Sequence, residues 1–247
     1  MKNFSFKIAF NDTYKFLIDN IVLFYKTSFI IILLYSLIEY KMNSYLSNIS
    51  SITDNGYNLL VVLFSGVLQL VLITMFVVVW GGYYLKKIPT IKIIDVLNWH
   101  EIKTNYIIAN LKLFGVFILL SILSYFTVAL VVALNVNIIL YLVITTLVVF
   151  VQLIILTRVM FILPNVIDGF SGKISDAINI TKDNSIKLLL SYIGVIFPVL
   201  IIPLLFIVIT DYNSYGYFET LIMTIFIFIS QAITTVYYIN VYKQLTK

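Results

Sequence analysis

Six long apolar runs alternate with polar segments along the 247-residue chain. A helix needs about 20 apolar residues to cross the hydrocarbon layer of a bilayer. Glu39 and Lys41 interrupt the outer end of the first run, and Pro198 and Pro203 predict a kink in the fifth. The pattern predicts an all-α, polytopic membrane protein. Its six spans cover about Thr27 to Met42, Tyr57 to Trp80, Leu113 to Leu134, Val136 to Leu156, Leu188 to Thr210 and Glu219 to Tyr242.

The composition excludes a water-soluble globule and several classes of chemistry. Hydrophobic residues make up 62% of the chain and charged residues 11%, against about 45–50% and about 25% in soluble domains. The chain has no cysteine and one histidine, His100, which leaves no thiolate site and no histidine cluster for zinc. No phosphate-binding loop or paired carboxylates occur in a span. We therefore expect no enzymatic activity, no cofactor, no metal and no nucleic acid partner.

Lysine and arginine predict the orientation, because cytoplasmic loops retain positive charge. Of the sixteen, all but Lys41 fall on one side of the six spans. The opposite connections carry Asp54, Asp211 and Glu219 instead. Both termini are therefore expected in the cytoplasm.

A similar segment precedes the first, third and fifth spans. These segments run from Lys7 to Asn20, from Lys92 to Asn105 and from Lys173 to Asn184, so their lysines recur after 85 and 81 residues. Each has an apolar stripe at helical spacing, typical of a helix lying on the membrane surface. The stripes are Phe6, Ala9, Phe10, Thr13, Tyr14 and Leu17; Ile93, Val96, Leu97 and His100; and Ile174, Ala177, Ile178 and Thr181.

This recurrence predicts an internal repeat. The three units cover about residues 5–84, 90–169 and 172–247, and each consists of a cytoplasmic-side interfacial helix followed by a helical hairpin. Parallel units of this kind are related by an axis along the membrane normal. The sequence therefore predicts a pseudo-threefold bundle.

One glutamine lies near the middle of each even-numbered span. Gln69, Gln152 and Gln231 are separated by 83 and 79 residues, close to the repeat period. A carboxamide in hydrocarbon needs hydrogen-bond partners, so all three are expected to face the interior. They would either bond neighbouring helices together or form a polar ring that lines a path or pocket for a head group.

Two charged residues and a glycine pair complete the candidates. Arg158, the only arginine, follows the fourth span and would either anchor the topology or bind a lipid phosphate. Glu39, close to Lys41, would either form a solvated ion pair or serve as the acid of a proton-coupled transporter. Gly81 and Gly82 predict the end of the second span.

Several short motifs resemble those of a known membrane family. They are the segment Ser5 to Asn20 before the first span, the Gly81-Gly82 stop, the Pro164 turn before Ile174 to Ile178, and the closing run Tyr237 to Tyr242. Together these resemble the YciC family of uncharacterised six-span inner-membrane proteins of gamma-proteobacteria. The resemblance implies a bacterial inner-membrane location but no mechanism. Fifteen lysines to one arginine are typical of an AT-rich genome, such as that of an endosymbiont.

The sequence thus favours a non-catalytic role among membrane lipids. Interfacial helices and a charge-poor interior fit the binding or transport of a lipid or other amphiphile, or a part in envelope maintenance. The alternative is a structural scaffold or subunit for another membrane protein.

Overall fold

A computed structural model describes residues 4–47, 55–88, 91–133, 137–170, 172–209 and 216–246. Over these residues the chain is helical and contains no strand. The helices are α1 (Phe6–Asp19), α2 (Ile21–Ser47), α3 (Asn55–Tyr84), α4 (Ile93–Leu97), α5 (Glu101–Ala133), α6 (Ile138–Val159), α7 (Ile162–Ile167), α8 (Ile174–Thr181), α9 (Ser185–Ile209) and α10 (Tyr217–Thr246). A 3₁₀ turn, Lys182–Asn184, joins α8 to α9. Outside the described residues lie Asp54, Asp211 and the predicted span ends Leu134, Val136 and Thr210.

Six of the described helices are long and apolar enough to cross a membrane, which confirms an all-α, multi-pass protein. They are longer than predicted, and the largest shift of a helix boundary is in α5, which begins at Glu101 rather than near Leu113. Because α4 ends at Leu97, His100 lies outside it. A short helix precedes α2, α5 and α9, in the predicted order. The internal repeat itself stays a prediction.

The long helices form a closed ring in which α10 is the most buried. Along the ring α2 packs on α3, α3 on α5, α5 on α6, α6 on α9, α9 on α10, and α10 on α2. Helix α10 also crosses the ring to α3 and packs against α1, α7 and α8. Its C-terminal half therefore lies almost wholly inside the protein, from Ala232 to Tyr242.

The core lies at one end of the ring, which we call the basal end. It is the end that carries α1, α4, α7 and α8 together with the start of α2 and the end of α10, and Trp80, Phe161 and Tyr237 are fully buried there. Away from this end the helices expose apolar side chains. No residue in the most apolar 18-residue window of the α6 span is buried by protein, an exposure typical of a surface that meets lipid or another membrane protein.

The sequence predicted that Gly81 and Gly82 end the second span, but α3 continues past them to Tyr84. Gly81 instead allows side chains of neighbouring helices to approach closely. A Cβ atom at Gly81 would lie 3.0 Å from Ile239 of α10 and 3.1 Å from Ile167 of α7. Tertiary packing, and not the low helix propensity of glycine, therefore decides the role of the glycine pair within α3.

Basal cations bind the carbonyl groups at the ends of the short helices. The last carbonyls of a helix have no partner within that helix, and a lysine or arginine can supply one. The buried Lys103 side chain of α5 donates from Nζ to Asp95 O at 3.1 Å, to Val96 O at 2.7 Å and to Asn98 O, and so holds the end of α4. The cation is thus compensated by three carbonyl dipoles.

Similar bonds hold the other basal segments. Lys112 Nζ donates to Gly172 O at 3.1 Å, and Lys187 Nζ donates to Phe4 O. Lys87 donates to Asp168 O just after α7 and forms an ion pair with the Asp168 carboxylate at 2.8 Å. These bonds bind the short segments to the long helices at the basal end.

Helix α1 is also held by neutral hydrogen bonds. Ser5 N donates to Gln244 Oε1 of α10 at 2.8 Å, and Tyr14 OH donates to Val195 O of α9 at 2.6 Å. Burial raises the pKa of the Tyr14 hydroxyl above its ordinary value, so the group stays a donor further into the alkaline range than a free tyrosine.

Replacing Lys103 by methionine should destabilise the protein, because three carbonyls then lose a charged donor. We expect the free energy of unfolding in mixed micelles to fall by about 2 kcal/mol, the scale of hydrogen bonds to a charged group. Lys15→Met, at an exposed position on α1, is the matched control and should change little. Equal stability of the two variants would contradict a structural role for Lys103.

Candidate functional site

Two of the three predicted glutamines bond within their own hairpins. Gln69 of α3 donates from Nε2 to the Glu39 carboxylate of α2. Gln152 of α6 donates from Nε2 to Leu120 O of α5 at 2.8 Å and to the Ser124 hydroxyl. Among the described residues, neither side chain bonds to another of the three glutamines. Their bonds join the two helices of a hairpin.

Glu39 does not form the ion pair with Lys41 that the sequence favoured. Within the part of the chain that the structure describes, one pair of oppositely charged side chains has its nitrogen and oxygen within 4.0 Å, and it is Lys87 with Asp168. The half-buried Glu39 accepts from Gln69, whereas Lys41 lies on an exposed face of α2. Residues two apart point about 200° apart around a helix, which separates the two charges.

Gln231 of α10 differs from the other two because it borders open space. Its backbone carbonyl accepts from Thr235 Oγ1 at 2.6 Å, but its side-chain amide has no hydrogen-bond partner among the described residues. The half-buried side chain lines both an interior cavity and a groove. A carboxamide has two N–H donors and an acceptor oxygen, so Gln231 retains its full capacity to bind a ligand.

The interior cavity has a volume of about 210 Å³ and lies among α3, α5, α7 and α10. Its polar lining is neutral: Asn110, Gln231, Thr234 and Thr235, together with the hydroxyl-bearing Tyr106 and Tyr238. Asn110 Nδ2 donates to Tyr106 O at 2.9 Å, and Tyr238 OH donates to Met160 Sδ at 3.3 Å. The Asn110 carbonyl oxygen makes no bond within the described chain and remains an acceptor.

The groove has a volume of about 390 Å³ and lies between α9 and α10. Apolar residues line it except at Ser230 and Gln231, and Leu200 and Leu204 are exposed at its rim. Pro203 also lines the groove, and its ring removes a helical hydrogen bond in α9. The groove is therefore an apolar surface with one polar end.

One face of α10 supplies residues to both spaces. Met223, Ile227 and Ser230 line the groove, and the series continues with Thr234 and Tyr238 in the cavity. Spacings of three and four place these side chains on one side of a helix. Gln231, fifteenth of the thirty residues of α10, lies where the face changes from apolar to polar. The cavity thus occupies the basal half of α10 and the groove its other half.

Arg158 bonds to protein rather than standing free at the basal surface. Its Nε donates to Thr181 Oγ1 at 3.2 Å, and its Nη2 donates to Ile178 O at 2.8 Å. Both partners lie at the end of α8, where a cation compensates the partial negative charge of the helix dipole. The predicted contact with a lipid head group is not part of this geometry and stays a prediction.

Asn110, Thr234 and Thr235 are site residues that the sequence did not point out. Asn110 lies outside the predicted third span, which begins at Leu113, whereas α5 begins at Glu101. The threonines were overlooked beside the glutamines, although Gln231, Thr234, Thr235 and Tyr238 follow the spacing of one helix face. That polar stripe was the available signal.

Comparison of the chain with family models, curated proteins and solved structures finds no match. The resemblance to the YciC family therefore stays an expectation. In the described parts of the chain, no three His, Cys, Asp or Glu side chains are grouped so as to hold a metal ion.

A double-mutant cycle tests whether Gln152 joins the two helices of its hairpin. Gln152→Leu and Ser124→Ala should interact by about 0.6 kcal/mol, and by no more than about 1.7, the range of interhelical hydrogen bonds in membranes. The measurement is the free energy of unfolding in mixed micelles. Ser121→Ala, at an exposed position one turn earlier, is the control, and an equal interaction with it would contradict the bond.

Proposed function

We propose that this protein binds a membrane lipid or similar amphiphile, with its hydrocarbon chain in the α9–α10 groove and its polar head at Gln231 and the cavity. The carrying observation is that Gln231, without a side-chain partner among the described residues, borders both spaces. A half-buried amide that meets hydrocarbon without a partner costs free energy, which a polar head group offsets by hydrogen bonding. The groove and cavity match the two parts of an amphiphile.

The position of the groove supports a hydrocarbon chain as its occupant. It lies on two helices long and apolar enough to span a membrane, and its rim residues Leu200 and Leu204 are exposed. In a bilayer such a surface meets acyl chains rather than water. An acyl chain can therefore enter sideways from the hydrocarbon, without crossing water.

The proposed orientation places the basal end at the cytoplasmic face of a bacterial inner membrane, with both termini inside. Among the described residues, Lys41 is the one lysine or arginine outside the basal half of the molecule, as the positive-inside rule favours. Lys2 and Lys247 lie outside the described residues. Helices α1, α4 and α8 would then lie along the inner surface. The repeat and its pseudo-threefold axis belong to the same proposal.

The role that we propose is non-catalytic. It consists of holding or moving an amphiphile, or of maintaining the envelope through it. The second candidate is a scaffold for another membrane protein, and the exposed apolar surface of α5 and α6 is the face that it would use. The cavity beside Gln231 favours the first candidate, because a scaffold needs no such space.

Native mass spectrometry of the protein released from mild detergent tests this function. Wild type should retain a stoichiometric amphiphile from the membrane, and Gln231→Leu should lose most of it at unchanged thermal stability. The loss follows because leucine offers no hydrogen bond to the head group.

Gln152→Leu is the matched control. It removes a glutamine that bonds to α5, so it should lower stability and leave retention unchanged. Equal retention by all three proteins, or no retained amphiphile, would contradict the proposal. A stoichiometric protein partner in place of an amphiphile would favour the scaffold.

A further inference from the structure

We infer that the head group bound at Gln231 is uncharged and carries hydroxyl or amide groups, an inference that rests on the proposed function. Every residue that lines the cavity or the groove is uncharged. The ligand class is therefore a long-chain amphiphile with a small neutral head, such as a monoacylglycerol, rather than a phospholipid.

Two basal cations that are close in sequence to lining residues bond elsewhere, and neither lines the cavity. Lys112 follows the lining residue Asn110 by two positions, but its Nζ donates to Gly172 O. Arg158 precedes the lining residue Met160 by two positions, and it donates to Ile178 O. Residues two apart point to different sides of a helix, so neither cation shares the direction of its lining neighbour. The cavity thus offers a phosphate no counter-charge.

A charged head group is disfavoured by its desolvation. Moving an ionised group from water into a low-dielectric site costs several kcal/mol unless an opposite charge pairs with it. A zwitterionic head meets the same difficulty, because the cavity lining holds no carboxylate and no cation. A hydroxyl group needs only hydrogen-bond partners, which the lining supplies.

The free polar groups are complementary to a hydroxyl or an amide. Gln231 offers both N–H donors and an acceptor oxygen, and Asn110 offers an acceptor oxygen. The Thr235 hydroxyl donates to Gln231 O and keeps its lone pairs. A hydroxyl group can donate to one oxygen and accept from the Gln231 amide at the same time.

The cavity volume limits the size of the head. An apolar cavity of about 150 Å³ holds one benzene molecule, so about 210 Å³ admits a group about as large as glycerol. An oligosaccharide head exceeds this volume. The preferred ligand therefore has one long chain and a head of a few heavy atoms.

Three probes with the same oleoyl chain isolate the head group: monooleoylglycerol, oleoyl lysophosphatidic acid and oleoyl lysophosphatidylethanolamine. The purified 247-residue chain is titrated with each probe in mild detergent, and the bound fraction is read by native mass spectrometry. Monooleoylglycerol should bind at least about tenfold more tightly than either charged probe. A tenfold difference in affinity corresponds to about 1.4 kcal/mol, which is only part of the cost of desolvating a charged head group.

Variants separate this inference from the function on which it rests. Gln231→Leu should weaken monooleoylglycerol binding about tenfold, the loss of one or two hydrogen bonds, while Gln152→Leu should bind it as wild type does. Tighter or equal binding of lysophosphatidic acid, still sensitive to Gln231→Leu, would overturn the neutral head and leave the proposed function standing. Failure of all three probes to bind, or binding insensitive to Gln231→Leu, would overturn both.

Discussion

The architecture depends on the partners that the backbone carbonyl groups find at the basal end of the bundle. Short helices leave their last carbonyls without partners inside the helix. In this protein Lys103 and Arg158 donate to carbonyls at the ends of α4 and α8. Lys112 and Lys187 donate to carbonyls just before α8 and α1, and each of the four cations joins a short segment to a long helix. The cations that are expected to orient the chain in the membrane therefore also hold its basal end together.

The same use of charge leaves the lining of the cavity neutral. With the basal cations bonded to carbonyls, the polar groups that reach the cavity are amides, hydroxyls and tyrosines. Two of the mid-span glutamines are bonded across their hairpins, and Gln231 is the one whose amide lacks such a bond among the described residues. One face of α10 borders both the groove and the cavity, and at Gln231 the residues on this face change from apolar to polar. A hydrocarbon chain and a head group would therefore meet at Gln231.

Hydropathy was enough to predict the six long helices and the all-α class, because the length of an apolar run is set by the bilayer.

The packing of those helices could not be predicted in the same way. Gly81 was assigned to a helix end, although it allows Ile239 and Ile167 to approach within the bundle. The sequence favoured an ion pair between Glu39 and Lys41, which are close in sequence, whereas the Glu39 carboxylate accepts a hydrogen bond from Gln69. Lipid and protein are equally apolar partners for a helix face, so the sequence gives little information on which face turns inward. Gln231 was identified, but its difference from Gln69 and Gln152 depends on these rotations.

A high-resolution structure of the protein in lipid nanodiscs that contain monooleoylglycerol is the most direct test of the amphiphile site. We predict elongated density along the groove beside Pro203 and Phe226, ending within hydrogen-bond distance of the Gln231 amide. A Gln231 side chain bonded to another residue of the protein, with the cavity closed and the groove holding no ordered chain, would contradict it.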